Sequence, residues 1–381
     1  MRLDDARTRR YHRLQLGLSG LSLVVSAALL AGLLATGAAA ALARAAAELT
    51  THWWAQLAIA LGVIGGVHAL LTSPLRWLSG FWLPRRYGLS HQPFGQWLWD
   101  GGKAAALGGV IGLVAVEAIY ALMHATPWWW LAGAGVLLVG SALLTLVAPI
   151  WLIPMFYDLT PLGDAALGER LVRLARRVGA PVLGVWVTDQ SRKSRTANAA
   201  VTGLGRTRRI ILFDTLVQGF TADEVEAVLA HELAHHVHGD IWRGLAVQAG
   251  VTLATLWGAD RLLGAGAAAL HLAGPADVAG LPLFGLIVMG AGLVALPAVN
   301  GWSRRVERQA DDFALDAISD PEPFIGAMER LADLNLARRD PHPVEEFLLY
   351  SHPSIGRRVA RARQRAGRSG PDSVSGRSLA R

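Results

Sequence analysis

Long apolar runs constrain this chain more than any other feature. Four runs without a charged residue exceed the roughly 20 residues that a helix needs to cross a bilayer. Two further runs of similar length carry one or two ionisable residues each. The six runs are Leu14–Ala43, Trp53–Leu75, Ala104–Ala125, Pro127–Tyr157, Ile241–Ala259 and Val278–Ser303. A mean hydropathy of +0.35 agrees with them. The sequence predicts a mainly α membrane protein with about six transmembrane helices.

The distribution of basic residues predicts how the helices are oriented. Loops on the cytosolic side of a membrane carry an excess of Lys and Arg. Only Arg44 follows the first run, whereas clusters of basic residues precede the first run and separate the second from the third. These clusters contain Arg2, Arg7, Arg9, Arg10, Arg13, Arg76, Arg85, Arg86 and Lys103. Both chain termini, the polar segment 158–240 and the residues after about Trp302 are therefore expected on the cytosolic side.

The runs divide the chain into five segments. Residues 1–157 form a four-helix membrane block, 158–240 a polar segment, 241–304 a transmembrane hairpin and 305–360 a second polar segment. Within the first polar segment, Gly168–Val178 has the pattern of an amphipathic helix, and Val182–Thr188 and Arg209–Phe213 have that of strands. Residues 361–381 are basic and rich in Gly and Ser, which predicts a disordered tail that contacts anionic lipid. No basic patch interleaved with aromatics is present, so nucleic acid is not an expected partner.

A metal-binding pattern lies in the first polar segment. His231, Glu232 and His235 form H-E-x-x-H. On a helix the two imidazoles stand one turn apart on one face and can bind one zinc ion, while Glu232 can act as general base on a water that zinc activates. A capping box at Thr221 and Glu224 predicts that the helix starts just before the motif. The competing interpretation is a pair of ordinary histidines on a helix.

A third ligand is needed to complete a catalytic zinc site, which keeps one position open. Glu307 is the best candidate, because it follows the last apolar run as the chain returns to the cytosolic side. Asp311 lies one turn later on the same face, where it could orient a ligand histidine. The competing interpretation is a solvated, charged helix start. Cysteine ligands and disulfides are excluded, since the chain has no cysteine.

Six short motifs together resemble the type I CAAX prenyl protease family, the integral-membrane zinc metalloproteases that process prenylated proteins. They occur in the family's order and span roughly residues 70 to 360. The motifs are Pro154–Pro161, Asn198–Ala199, Arg209–Leu216, His231–His235, Ser303–Asp311 and Ser351–Pro353. The resemblance implies a membrane protein with a cytosolic-side zinc-metalloprotease domain that contains a small β element. It also implies one zinc ion per chain and a peptide or protein substrate, possibly lipid-modified, reached from the membrane.

The resemblance implies roles for individual residues as well. His231, His235 and Glu307 would bind zinc, Glu232 would be the base, and Asp311 would support a ligand. Asn198 would hold the substrate backbone near an edge strand. His352 would stabilise the oxyanion, with Arg358 beside it.

Two alternatives remain open at this stage. The membrane proteases of the HtpX group share the catalytic part but have fewer membrane helices. A membrane carrier or scaffold with structural zinc is the other, although a closed structural site needs four protein ligands. One departure from the family concerns the substrate groove: aromatics usually follow the N-A motif, but here Ala199, Ala200, Val201 and Thr202 follow Asn198.

Overall fold

A computed structural model describes residues 3–203 and 205–368 of the chain. Within them, five helical stretches are long and apolar enough to cross a membrane. They are Ala6–Ala35, Trp53–Arg86, Phe94–Ala125, Trp129–Val147 and Val278–Ala317. A sixth long helix, Asp240–Ala269, contains the remaining apolar run. The predicted architecture of about six membrane helices is confirmed.

The helices of the described residues are numbered in chain order. They are α1 Leu3–Ala35, α2 Ala38–Leu49, α3 Trp53–Trp77, α4 Leu83–Arg86, α5 Phe94–Ala125, α6 Trp129–Val147, α7 Ala165–Arg177, α8 Asp214–Gly219, α9 Ala222–Val237, α10 Asp240–Ala269, α11 Leu281–Ala317, α12 Glu322–Leu334, α13 Pro343–Leu349 and α14 Ile355–Arg368. The strands are β1 Leu159–Pro161, β2 Val185–Thr188, β3 Ala199–Thr202 and β4 Arg209–Phe213.

The six long helices form a closed ring. Helix α1 packs on α3, α3 on α5, α5 on α6, α6 on α10, α10 on α11, and α11 returns to α1. One apolar cluster, which includes Leu57, Tyr120, Trp129 and Phe284, joins five elements of the ring. Closure of the ring brings α10 and α11, which are late in sequence, against helices of the N-terminal block.

Two predicted spans differ from the observed helices. The run Leu14–Ala43 is not one helix, because the chain turns at Gly37, whose φ of 73° is left-handed, and α2 then packs on α3. The run Pro127–Tyr157 leaves α-helical geometry after Val147 and continues as a π turn and a 3-10 turn. Pro149 and Pro154 explain this change, since proline cannot donate the helical hydrogen bond.

Helix α11 crosses a predicted segment boundary. The membrane hairpin was expected to end at residue 304, but α11 runs without interruption to Ala317. No proline or glycine lies between Trp302 and Ala317, so nothing in the local sequence breaks the helix. One rigid element therefore carries Glu307 and Asp311 from the membrane to the polar part of the protein.

The polar part combines a four-stranded sheet with helices. The strand order is β1-β2-β4-β3, with β2 and β4 parallel and the outer pairs antiparallel. Helix α7 and strands β2 and β4 match the predicted amphipathic helix and strands. Strand β3 lies at one edge of the sheet and packs against α9. This placement sets an edge strand beside the helix that carries the H-E-x-x-H motif.

The first part of the predicted disordered tail is helical. Helix α14 continues to Arg368, so residues 361–368 are helical rather than disordered. Contacts with α11 and the core explain this: Arg361 pairs with Asp312, Arg365 pairs with Asp316, and Ala362 is fully buried in the hydrophobic core. Residues 369–381 of the predicted tail lie outside the described residues.

Candidate metal centre

Helix α9 positions three of the predicted site residues. Its capping box is formed as predicted, because Thr221 accepts from the Glu224 N–H and Glu224 accepts from the Thr221 N–H. Leu229 and Leu233 are fully buried and fix the rotation of the helix. His231 and His235 therefore project on one face, with ring centroids 5.0 Å apart and ring planes at 89°.

Glu307 on α11 meets this pair of histidines. Its Oε2 lies 3.2 Å from His231 Nε2, and its Oε1 lies 3.6 Å from His235 Nε2. One ligand atom from each of the three residues lies within 4.8 Å of the other two. The structure thus brings together three residues that sequence spacing alone could not join, since Glu307 lies on a different helix from the histidines.

The donor set suits a zinc ion. Two imidazole nitrogens and one carboxylate are ligands that zinc accepts at a site with an open position. Glu307 is 7% exposed, and its Oε2 is buried without a hydrogen-bond partner, despite its short distance from His231. A buried carboxylate oxygen without a partner is costly unless a cation or donor satisfies it. The three residues therefore fit a metal without rearrangement of the backbone.

A second carboxylate lies behind each histidine. Asp311 Oδ1 is 2.9 Å from His231 Nδ1, and Asp240 Oδ2 is 3.0 Å from His235 Nδ1. Such contacts fix the tautomer so that Nε2 is free to bind a metal. Asp311 was predicted in this place, but Asp240 was missed. The sequence feature that could have revealed Asp240 is its place directly after Gly239, where a new helix begins close to His235.

Arg358 lies behind His231 rather than at an open face of the site. Its guanidinium binds Asp311 with two nitrogens, and Nη2 is 3.4 Å from His231 Nδ1. Both Arg358 and Asp311 are buried. The geometry favours a positioning role, in which Arg358 holds the carboxylate that orients His231.

Burial and neighbouring charges shift the pKa values of several site residues, including His231 and Glu232. Burial alone lowers the pKa of His231, but the carboxylates of Asp311 and Glu307 outweigh it and raise the pKa to about 9. Burial raises the pKa of Glu232, although His231 and His235 oppose the change. A raised pKa makes Glu232 a stronger base than an ordinary surface glutamate.

His352 approaches from the loop between α13 and α14. Its Nε2 lies 3.3 Å from Glu307 Oε1, and 58% of its side chain is exposed. Two α11 residues that the sequence analysis missed hold α13 in place. Asn300 Nδ2 donates to the Leu348 carbonyl at 2.8 Å, and the buried Arg304 donates to the carbonyls of Glu346 and Tyr350. Their sequence positions could have pointed to them, since both lie on α11 within two helical turns before Glu307.

Asn198 precedes the edge strand β3, as expected. It is exposed, and its Oδ1 accepts from the N–H of Ala199. His236 Nε2 donates to the Val201 carbonyl at 2.8 Å, which attaches β3 to α9. Asn335 contacts both backbone groups of Ala197. The strand is thus held at both ends, and no other strand of the described residues pairs with its outer side.

Comparison with known families decides what this arrangement belongs to. Residues 161–366, which contain all the site residues above, match the model of peptidase family M48. The chain belongs to peptidase family M48. Residues 4–158 match a second family model, described as the CAAX prenyl protease N-terminal region with five membrane helices. The M48 chain is therefore a metalloprotease of the CAAX prenyl protease family and an integral membrane protein that acts on peptide or protein substrates.

Proteins from bacteria and yeasts are similar to this M48 chain. The uncharacterised metalloprotease YhfN of Bacillus subtilis is 28% identical over 309 residues, 79% of this chain and 71% of that protein. CAAX prenyl protease 1 of Saccharomyces cerevisiae is 34% identical over 178 residues, 46% of this chain and 39% of that protein. The crystal structure of S. mikatae Ste24p has a TM-score of 0.84 at 23% identity, covering 94% of this chain and 89% of that one, so the fold is shared.

Proposed function

We propose that the chain is a zinc metalloendopeptidase that hydrolyses peptide bonds at the cytosolic face of the membrane. The main support for this proposal is that ligand atoms of His231, His235 and Glu307 lie close together, and that Glu307 Oε2 is buried without a hydrogen-bond partner. Glu232 is next to His231 in the sequence. Three ligands and an adjacent base match a catalytic site better than a closed structural site. The match of residues 4–158 favours a CAAX-type enzyme over an HtpX-like one.

Each residue of the site would have a separate role in hydrolysis. When bound, zinc would polarise the scissile carbonyl and make water more acidic. Glu232 would take the proton of the attacking water and pass it to the leaving amine. His352 would donate its N–H to the carbonyl oxygen as charge develops there. An extended substrate would pair with the outer side of β3, beginning at Asn198.

Two observations support a proposed substrate class. Helix α11 connects a membrane span directly to Glu307, so a bond close to the membrane surface would reach the site most readily. The yeast and plant relatives are named CAAX prenyl proteases. A lipid-modified C-terminal peptide is therefore the proposed substrate, with the lipid held among the membrane helices.

Cleavage assays with matched peptides test the substrate class. Purified protein is given one peptide in two forms, with a farnesylated or an unmodified cysteine near its C-terminus. Both forms should be cut, and the farnesylated form should have the higher kcat/KM, because its lipid adds binding energy. Equal kcat/KM values for the two forms would show that the lipid is not recognised, while leaving the protease activity itself intact.

His352→Phe tests the oxyanion role. Loss of one oxyanion donor typically costs between about a hundredfold and a thousandfold in rate. We expect a kcat reduction within that range, with zinc content and KM little changed. His352→Gln, which keeps an N–H donor of similar reach, should recover part of the rate. A variant with weak substrate binding and a normal kcat would mean that His352 only positions the substrate.

Cysteine labelling tests the proposed orientation. The chain has no cysteine, so single substitutions give a clean background. Ser319 and Thr51 are exposed on opposite sides of the proposed membrane. In intact cells or sealed inverted vesicles, a membrane-impermeant maleimide should reach Ser319→Cys only from the cytosolic side and Thr51→Cys only from the other. The reverse pattern would invert the topology drawn from the arginines.

A further inference from the structure

A basic cleft that contains none of the metal-centre residues lies at one end of the membrane helices. It has a volume of about 460 Å³ and is lined by Arg7, Arg10, Leu14, Trp82, Arg86 and Tyr87 among others. Arg7, Arg10 and Leu14 come from α1, whereas Trp82 ends the π-helical turn Leu78–Trp82 and Arg86 ends α4. We call it the arginine cleft.

Within the part of the chain whose side chains are described, no carboxylate neutralises the charge of the arginine cleft. Among the side chains that the structure describes, no carboxylate pairs with Arg10 or Arg86, and neither makes a hydrogen bond. Arg7 donates to the Tyr87 carbonyl at 2.7 Å, and its guanidinium lies over the Tyr87 ring. This contact fixes one wall, while the other two guanidiniums remain available. Two guanidiniums without a described partner, next to a third that is held by Tyr87, attract an anion.

The arginine cleft also has an apolar side that continues into the membrane span. Leu14 and Trp82 are 41% and 44% exposed, and both lie within or at the end of span-length helices. The exposed apolar surface continues along the same face of α1 at Leu21, two helical turns after Leu14. Trp at a span end is typical of the membrane interface, where headgroups lie. A soluble anion would use the arginines but not this apolar wall.

We propose that the arginine cleft binds one anionic phospholipid, with Arg10 and Arg86 on its headgroup phosphate and its acyl chain along Leu14 and Trp82. Basic pockets between transmembrane helices are known to hold anionic headgroups. Arg is suited to this because its planar fork donates two hydrogen bonds to one phosphate. The proposal does not depend on the proteolytic mechanism.

Native mass spectrometry of the detergent-solubilised full chain tests this site. The protein is titrated with phosphatidylglycerol, and separately with phosphatidylcholine as the zwitterionic reference. We expect the first phosphatidylglycerol molecule to bind tightly, and we expect no phosphatidylcholine molecule to bind with similar affinity. The double variant Arg10→Gln/Arg86→Gln should bind that lipid about thirtyfold more weakly, since each interfacial arginine contributes about 1 kcal/mol.

The matched control is Arg9→Gln/Arg13→Gln, which removes the same amount of charge from α1 at residues that do not line the arginine cleft. It should bind phosphatidylglycerol like the unaltered protein, and a thermal melt of both variants in detergent reports whether they are folded. Equal loss in the two variants would mean a diffuse electrostatic attraction and would overturn the proposal. Displacement of the lipid by millimolar inorganic phosphate would also overturn it, because the site would then recognise a soluble anion.

Discussion

Glu232→Gln is expected to retain zinc and bind substrate normally but to lose at least about a hundredfold in turnover, in line with the loss of a general base. The substitution keeps the size of the side chain and removes only its ability to accept a proton. Its neighbours His231 and His235 remain free to bind the metal, so zinc content should not fall. Steady-state cleavage kinetics together with zinc analysis measure both quantities on one sample.

Glu226→Gln is the matched control for that experiment. Glu226 lies on the same helix, but it pairs with Arg170 and Arg177 away from the metal centre. Its neutralisation should leave kcat unchanged. Turnover of the Glu232→Gln variant within about tenfold of the unaltered protein would exclude Glu232 as the base.

His235→Ala is expected to abolish both zinc binding and cleavage. The unaltered protein should hold about one zinc per chain, because three residues form one open site. Removal of one imidazole leaves His231 and Glu307, which are too few to hold zinc through purification. Glu307→Gln should have the same effect, since its amide is a poor zinc ligand.

His238→Ala provides the control, because it removes a histidine from the same short segment. His238 Nδ1 has no hydrogen-bond partner, and the ring contacts Phe313 rather than the metal centre. This variant should keep its zinc and its activity. Full zinc occupancy in the Glu307→Gln variant would show that another carboxylate completes the site.

Short-range sequence signals predicted much of this structure. The capping box at Thr221 and the spacing of His231 and His235 depend on the geometry of a single helix. The sequence was therefore sufficient to predict both features. The apolar runs predicted the membrane helices for the same reason, because span length is a local property. The histidine pair was predicted from its own H-E-x-x-H spacing, and Glu307 was predicted as its third ligand because it shares a helical face with Asp311 where the chain leaves the last apolar run.

Contacts between distant segments could not be predicted in the same way. The approach of Asp240 to His235 depends on how the chain turns at Gly239. The hydrogen bonds from Arg304 to carbonyls in and just after α13 depend on tertiary packing. The helix at 361–368 forms because acidic residues on α11 face its arginines. The break at Gly37 was also missed, since the surrounding run is apolar on both sides and only the backbone conformation reveals it.

Zinc-dependent peptide cleavage tests the central claim most directly. The purified protein is stripped with a chelator, assayed on a peptide substrate, and assayed again after one equivalent of zinc is restored. The account predicts cleavage before stripping, none after it, and recovery on addition of zinc to the unaltered protein but not to the His235→Ala variant. Cleavage that persists in the zinc-free protein, or that the His235→Ala variant retains, would contradict it.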